Sequence, residues 1–311
     1  MPGPRNKPID PPLTEREFGV YAYLHRHVEH LAGQIGIRHD SDPGSIDATV
    51  GYLIDEWDKL GQTVDIQAYP TDAMQAKNLV VEWPGTTKAG EIVIVGAHYD
   101  TVAGTPGADD NASAVAMVLA VCRGLVGRTF ERTLRFVAFA NEEPMHFSGP
   151  TMGSRVYADR CKAANENIHL MVCLEMVGYY DTAENSQDYP DELPAFIKPF
   201  LRSRGDFIAF IADMATRSRL GRFKRVFKKN AAFPVIAAPL PRARQVIWVS
   251  DHGPFWDNGL PALMVTDTAW FRNGNYHTMN DTPDTLDYER MARVAVGVTE
   301  AVAALAEEAR M

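Results

Sequence analysis

Four short apolar runs of this chain lead within three residues into a histidine or an acid, and no other feature constrains the fold as strongly. Residues 92–95 lead into Gly96-Ala97-His98-Tyr99-Asp100, and 134–140 into Asn141-Glu142-Glu143. Residues 170–174 lead into Glu175, and 246–249 into Ser250-Asp251-His252. Runs of this length, rich in Val, Ile, Leu and Phe, read as strands. Near-continuous apolarity marks strands covered on both faces, the habit of parallel strands in α/β domains. In such sheets ligands bind beyond the carboxyl ends of the strands. One junction of this kind carries little meaning; four of them place acids and histidines on one rim and predict a site there.

The remaining pattern agrees with that sheet. Helical periodicity runs over 14–31, opened by Thr14 with acids in its first turn, and over 45–60. Strand-like runs fall at 78–83, 91–96, 133–140, 169–174, 245–249 and 262–265. Residues 112–125 are apolar on nearly every face and predict a buried helix, followed by helices at 153–164 and 284–309. Alternating strands and helices predict a three-layer α/β/α sandwich around a mostly parallel, mixed central sheet. With 311 residues, 46% hydrophobic and 23% charged, the chain has the size and composition for one such domain. Residues 178–241 break the rhythm with Asp188-Tyr189-Pro190-Asp191, helical stretches at 193–203 and 206–219, and a basic run at 217–229. They are expected to form an insertion over the rim, the basic run being a solvated helix face.

Composition removes several function classes. A net charge of −9 argues against nucleic acid as a partner, because phosphate affinity comes from clustered Lys and Arg. Cys122, Cys161 and Cys173 lack paired spacing and read as core thiols, not as a disulfide framework or a Cys-type zinc site. Residues 1–12 carry no signal-like apolar segment, and no later stretch is long enough to span a bilayer, so a cytoplasmic protein without a membrane partner is expected. Nothing in the sequence sets the oligomeric state.

The polar junctions have the makings of a hydrolytic metal pair, which needs imidazole and carboxylate ligands, a bridging carboxylate and a free carboxylate to take a proton. In His98-Tyr99-Asp100 the acid is placed to fix the imidazole tautomer, although a buried His–Asp pair is also an ordinary structural device. Asp109 and Asp110 precede the buried helix and face its N-terminus, where one of them would serve as a cap; capping does not explain both. Glu142 and Glu143 would repel unless a cation lay between them. Glu175 stands alone in an apolar run and must be paired, protonated or bound to metal. His277 by itself reads as a loop histidine. Ser250-Asp251-His252 is a poor Ser-His-Asp triad, because triad members converge from separate segments.

Taken in order, His-x-Asp, Asp-Asp-Asn-Ala-Ser, Glu-Glu, Glu-Met-Val-Gly, Ser-Asp-His and Tyr-His-Thr resemble the zinc-dependent aminopeptidase and glutamate-carboxypeptidase-like peptidases with a co-catalytic dinuclear site. The resemblance runs from about Asn78 to the C-terminus. It implies two divalent ions, zinc by preference, with His98 and Glu175 completing one site, Glu143 and His277 the other, and Asp110 bridging; Asp109 is the spare candidate. It also implies Glu142 as general base, Asp100 as the residue orienting His98, and a cis peptide between Asp110 and Asn111. This chain departs from the family in having Glu175 where many members have Asp, Met279 where Pro is frequent, and Val246-Ile247-Trp248-Val249 where some carry a carbonyl-polarising Tyr.

The activity so implied is hydrolysis of a peptide or small amide, with removal of N-terminal residues as the first reading. A carboxypeptidase or amidohydrolase is the alternative, for which Arg242, Arg244 or Arg272 would clamp a carboxylate. A one-metal glutaminyl-cyclase-like transferase and a catalytically dead binding domain are the remaining readings; the retention of His98, Glu142 and Glu143 speaks against the first, and five intact ligand positions against the second.

Overall fold

A computed structural model describes residues 12–191, 201–241 and 249–307. The first helix, α1 (Glu15–Val28), starts where Thr14 and Glu17 cap each other: Glu17 N–H donates to Thr14 Oγ1 at 3.2 Å and Thr14 N–H to Glu17 Oε2 at 2.7 Å. Helix α2 (Pro43–Lys59) opens on Asp42 as cap with Pro43 in its first turn. Strands β1 (Asp65–Pro70), β2 (Gln75–Trp83) and β3 (Lys88–His98) follow, then α3 (Ala114–Leu125), in which all but Arg123 and Gly124 are buried. Next come β4 (Arg132–Phe139), α4 (Gly153–Ala163), β5 (Asn167–Glu175), β6 (Ile208–Asp213), α5 (Arg217–Asn230), β7 (Val235–Leu240), α6 (His252–Asp257) and β8 (Ala262–Thr266). The chain closes on α7 (Tyr288–Ala306), capped by Asp287, whose carboxylate accepts from Arg290 N–H at 3.0 Å.

The strands form one sheet in the order β1-β2-β4-β3-β5-β8-β6-β7. Its centre, β4-β3-β5-β8, is parallel, while β2 and β6 run against their neighbours β4 and β8. Helices α1, α2, α3, α5 and α7 bury their apolar faces on one side of the sheet, and α4 and α6 on the other. This is the expected α/β/α sandwich. His98, Glu175 and the Glu142-Glu143 pair all emerge at the carboxyl edge of the parallel strands because β3, β4 and β5 point the same way.

Several expectations change. Residues 206–219 are not one helix: Ile208–Asp213 is a strand, and helix begins only at Arg217. The run is apolar on both faces, so periodicity could not tell strand from helix; Ile208, Phe210 and Ala212 pack in the main core, the last layer before α5. β1 and β7 were not foreseen at all. Of the segment 178–241, β6, α5 and β7 extend the sheet beyond β8, and Gln187, Asp188, Tyr189 and Pro190 border a cavity at its rim. The helix expected at 193–203 and the strand at 245–249 lie mostly outside the described residues; Leu201 to Ser203 and Val249 belong to neither kind of element. The closing helix is preceded by a separate turn of 3₁₀ helix at Pro283–Thr285. All three cysteines are buried free thiols. Among the described residues no helix is long and apolar enough to cross a membrane.

Candidate metal centre

The carboxyl ends of β3, β4 and β5, the turn before α3 and the loop before α7 bring together every residue singled out for metal binding. Three groups have ligand atoms within 4.8 Å of one another: His98 with Glu142 and Glu143, His98 with Asp110 and Glu175, and Asp110 with Glu143 and His277. His98 Nε2 lies 3.4 Å from Asp110 Oδ1 and 3.5 Å from Glu175 Oε2. On the other side, His277 Nε2 lies 3.1 Å from Asp110 Oδ2 and 3.3 Å from Glu143 Oε2. Asp110 therefore stands between two half-sites with one oxygen turned to each.

These approaches are close but do not have hydrogen-bond geometry. His98 Nε2, His277 Nε2 and Glu143 Oε1 are buried without a hydrogen-bond partner, an expensive arrangement for polar atoms unless they serve as ligands. Imidazole nitrogens and carboxylate oxygens in this density are the donor set of a divalent cation such as zinc. The electrostatics point the same way. Burial pushes Glu143 up to about 8, with Asp110 adding to the effect. Burial also lifts Glu142 well above the usual carboxylate range, opposed by His98 and reinforced by Glu143 and Glu175. Against burial, Asp110 and Glu143 raise His277 to about 10. Without a cation, Glu142 and Glu143 are thus held towards their protonated forms and His277 towards its charged form.

The surrounding residues fix the directions of the clustered side chains. His98 Nδ1 lies 3.2 Å from the backbone carbonyl of Asp100 and 3.5 Å from its Oδ1. The Asp100 carboxylate also accepts the amides of Glu142 at 3.0 Å and Glu143 at 3.1 Å, tying the end of β4 to the end of β3. Ser250 Oγ–H donates to Glu175 Oε2 at 2.5 Å and lies 3.4 Å from Cys173 Sγ, so it is turned to Glu175, while the His252 ring packs edge-on against Trp256. That excludes the triad reading. The Asp110-Asn111 peptide is cis, as the resemblance implied. Asn111 spans the gap to β5, donating to Leu174 O at 3.3 Å and accepting from Met176 N–H at 3.0 Å.

Asp109, the spare candidate for the bridge, faces away from the cluster. Its carboxylate accepts from Gly178 N–H at 2.9 Å and Asn273 Nδ2 at 2.8 Å. Arg272 is no carboxylate clamp: it is buried, donating to Gln187 Oε1 and to the carbonyls of Gly205 and Phe207. Arg242 and Arg244 lie outside the described residues.

Two supporting residues escaped sequence reasoning. Asp281 receives the amides of Asp109 at 2.9 Å and Asp110 at 3.1 Å, and so fixes the backbone that carries Asp110; its spacing of four residues after His277 was the available signal. Arg38, fully buried, donates to the carbonyls of Leu31, Gly36, Tyr99, Pro106 and Gly107, gathering three segments beneath the site. Gly107 has φ +60°, and a Cβ there would sit 2.2 Å from Asp110 O, so glycine is required for the turn to close.

A cavity of about 450 Å³ opens beside the cluster, with Asp110, Glu142, Glu143, Glu175 and His277 on its polar wall and mainly apolar side chains elsewhere.

Comparison with known proteins agrees with this arrangement. The model of "Peptidase family M28" matches residues 78–302. An uncharacterized protein, YfbL of Escherichia coli (strain K12), is 34% identical over 283 residues, covering 88% of this chain and 85% of its own. A probable leucine aminopeptidase of Trichophyton verrucosum is 28% identical over 238 residues, 71% of this chain but only 55% of the fungal protein, so this chain spans about half the length of that relative. Among solved structures, BSAP, a zinc aminopeptidase from Bacillus subtilis, superposes with a TM-score of 0.71 at 14% identity, covering 94% of this chain and 96% of its own. A glutaminyl cyclase from Fimbriiglobus ruber gives a TM-score of 0.66 at 18% identity, covering 96% and 99%; at such identities both report the fold alone. The extent of the family match, from the second strand to the last helix, decides the assignment: the chain belongs to peptidase family M28.

Proposed function

We propose that this chain is a dinuclear metallopeptidase that removes N-terminal residues from peptides. The observation that carries the reading is Asp110, whose two oxygens face different histidines, His98 at 3.4 Å and His277 at 3.1 Å. In this reading His98 and Glu175 hold one ion, Glu143 and His277 the other, and Asp110 both; zinc suits the mixed nitrogen and oxygen donors. When bound, the pair would acidify a water molecule and polarise the scissile carbonyl.

The protein's own groups handle the proton. Glu142 is buried at the cavity wall 3.8 Å from His98 Nε2, and its backbone is fixed by Asp100. From there it takes a proton from the attacking water and returns it to the leaving amine. The acids of the rim also suit a free α-ammonium, which favours an aminopeptidase. The complete set around His98 favours two-metal hydrolysis over a one-metal cyclase, and the engagement of Arg272 with backbone carbonyls removes one support for a carboxypeptidase.

The test is metal content by plasma emission spectroscopy together with a panel of free and N-blocked aminoacyl p-nitroanilides. Two equivalents of metal and cleavage of the free series alone are expected. Cleavage confined to N-blocked substrates would overturn the aminopeptidase reading, and a single bound equivalent the dinuclear one.

A further inference from the structure

Most of the cavity wall lies away from the metal ligands, on the sheet face that also carries α4 and α6, where Met264 packs in one apolar cluster with Phe255 and Trp256 and the cavity opens beside it. Register gives its shape. At the rim, Thr266 pairs with Glu175 on one side and Ala209 on the other, and Ala209 pairs with Ile236. Two residues further from the rim, Met264 pairs with Ile211, and Ile211 with Ala238; Leu240 follows two residues beyond. All of these line the cavity, and the pairing puts them on the same sheet face as Glu175. At a strand rise of about 3.3 Å per residue, four residues carry this floor about 13 Å below the rim at which Glu175 stands. None of its side chains is charged. The alanines, Ala209 and Ala238, keep it shallow in the middle, where a larger residue would close it.

A leucine side chain would reach only the first level of this floor. Water over the remainder would face apolar side chains without hydrogen-bond partners. The cavity is continuous with the catalytic cluster, so its occupant is part of the substrate.

We infer, on the hydrolase reading above, that the acyl side of the preferred substrate carries a linear apolar chain longer than leucine's, laid along β8, β6 and β7 with Ala238 setting the permitted length. Each methylene taken from water onto this floor should raise kcat/KM about fourfold until the floor is filled.

The experiment measures kcat/KM for p-nitroanilides of alanine, leucine, 2-aminohexanoic, 2-aminooctanoic and 2-aminodecanoic acid, with decanoyl p-nitroanilide as an arm lacking the amine. A rise from 2-aminohexanoyl to 2-aminooctanoyl of about 15-fold is expected, two methylenes at fourfold each. Ala238→Phe should return the 2-aminooctanoyl value to the leucyl level and leave the alanyl value within about twofold. The alanyl rate doubles as the control for folding, and the milder Ala238→Val should give an intermediate cutoff. Preference for decanoyl over 2-aminodecanoyl substrate would keep the channel and identify a fatty acyl group as its occupant, against the aminopeptidase reading. A maximum at alanine or leucine in the wild type, or an equal loss at every length in Ala238→Phe, overturns the inference. Should no amide be cleaved, calorimetric titration with 2-aminodecanoic acid and with alanine decides: tighter binding of the longer acid supports the channel, and equal binding overturns it.

Discussion

Replacing Asp100 by asparagine tests whether the orienting shell, and not the ligands alone, makes the metal centre. The Asp100 carboxylate accepts two amides, from Glu142 at 3.0 Å and Glu143 at 3.1 Å, with one oxygen for each, and lies 3.5 Å from His98 Nδ1. An asparagine of the same shape offers one oxygen and one NH₂, so one amide N–H must face another donor in a buried place. A hydrogen bond to a charged group contributes about 1.5–3 kcal/mol, and a buried donor without a partner costs about 1–3 kcal/mol. Asp100→Asn should therefore lower unfolding free energy by about 2.5–6 kcal/mol. Loss of such an outer partner weakens metal binding by about 10–100-fold. Urea unfolding of the metal-free protein gives the first quantity and chelator competition the second. A variant with unchanged urea midpoint and metal affinity within twofold of wild type would refute the reasoning.

Three further outcomes are expected. Glu142→Gln should keep its metal but lower turnover by about 10²–10⁴-fold, whereas Glu143→Gln should lose metal; the opposite pattern, by metal analysis beside kinetics, exchanges the two roles. Gly107→Ala places a side chain at φ +60° and 2.2 Å from Asp110 O, and should lower stability by about 2–6 kcal/mol in urea unfolding; an unchanged midpoint contradicts it. Burial, and then the Arg26 guanidinium, hold His27 down at about 3 against the usual 6.5. The unfolded chain then binds the extra proton as pH falls below about 6.5, so stability drops in that direction. Between pH 7.5 and 5 the wild type should lose about 2 kcal/mol more than His27→Gln, and equal losses in urea titrations at the two pH values would show that His27 is not the source.

The parts legible in the sequence are those that depend on local pattern. His98, Glu142, Glu143 and Glu175 announce themselves because each follows an apolar strand within three residues, and parallel neighbours must then deliver them to one edge. Asp110 and His277 were legible only as members of an ordered series. β6 was not, because Phe207 to Asp213 carries apolar side chains to both faces and shows neither period. Arg38 and Asp281 were missed for another reason: the partners that tie them to the site are main-chain groups more than sixty and more than a hundred and seventy residues away, and a hydrogen bond to a backbone leaves no mark on the sequence of its partner.

Arg38 also bears on how the centre is assembled. Its guanidinium, lowered by burial only to about 10, stays charged at neutral pH and faces Asp281, Asp100, Asp110 and Glu143. Its five carbonyl partners belong to the segments that carry those acids or precede them. The protein therefore supplies one permanent counter-ion of its own, covalently attached and too deep to exchange. Part of the mutual repulsion among the acids is balanced before any ion arrives, and the turn at Gly107 is held by contacts that need no metal. Loading then resembles the filling of a mould instead of the folding of a chain around its ion, and stripping the metal should leave a shaped protein ready to be refilled.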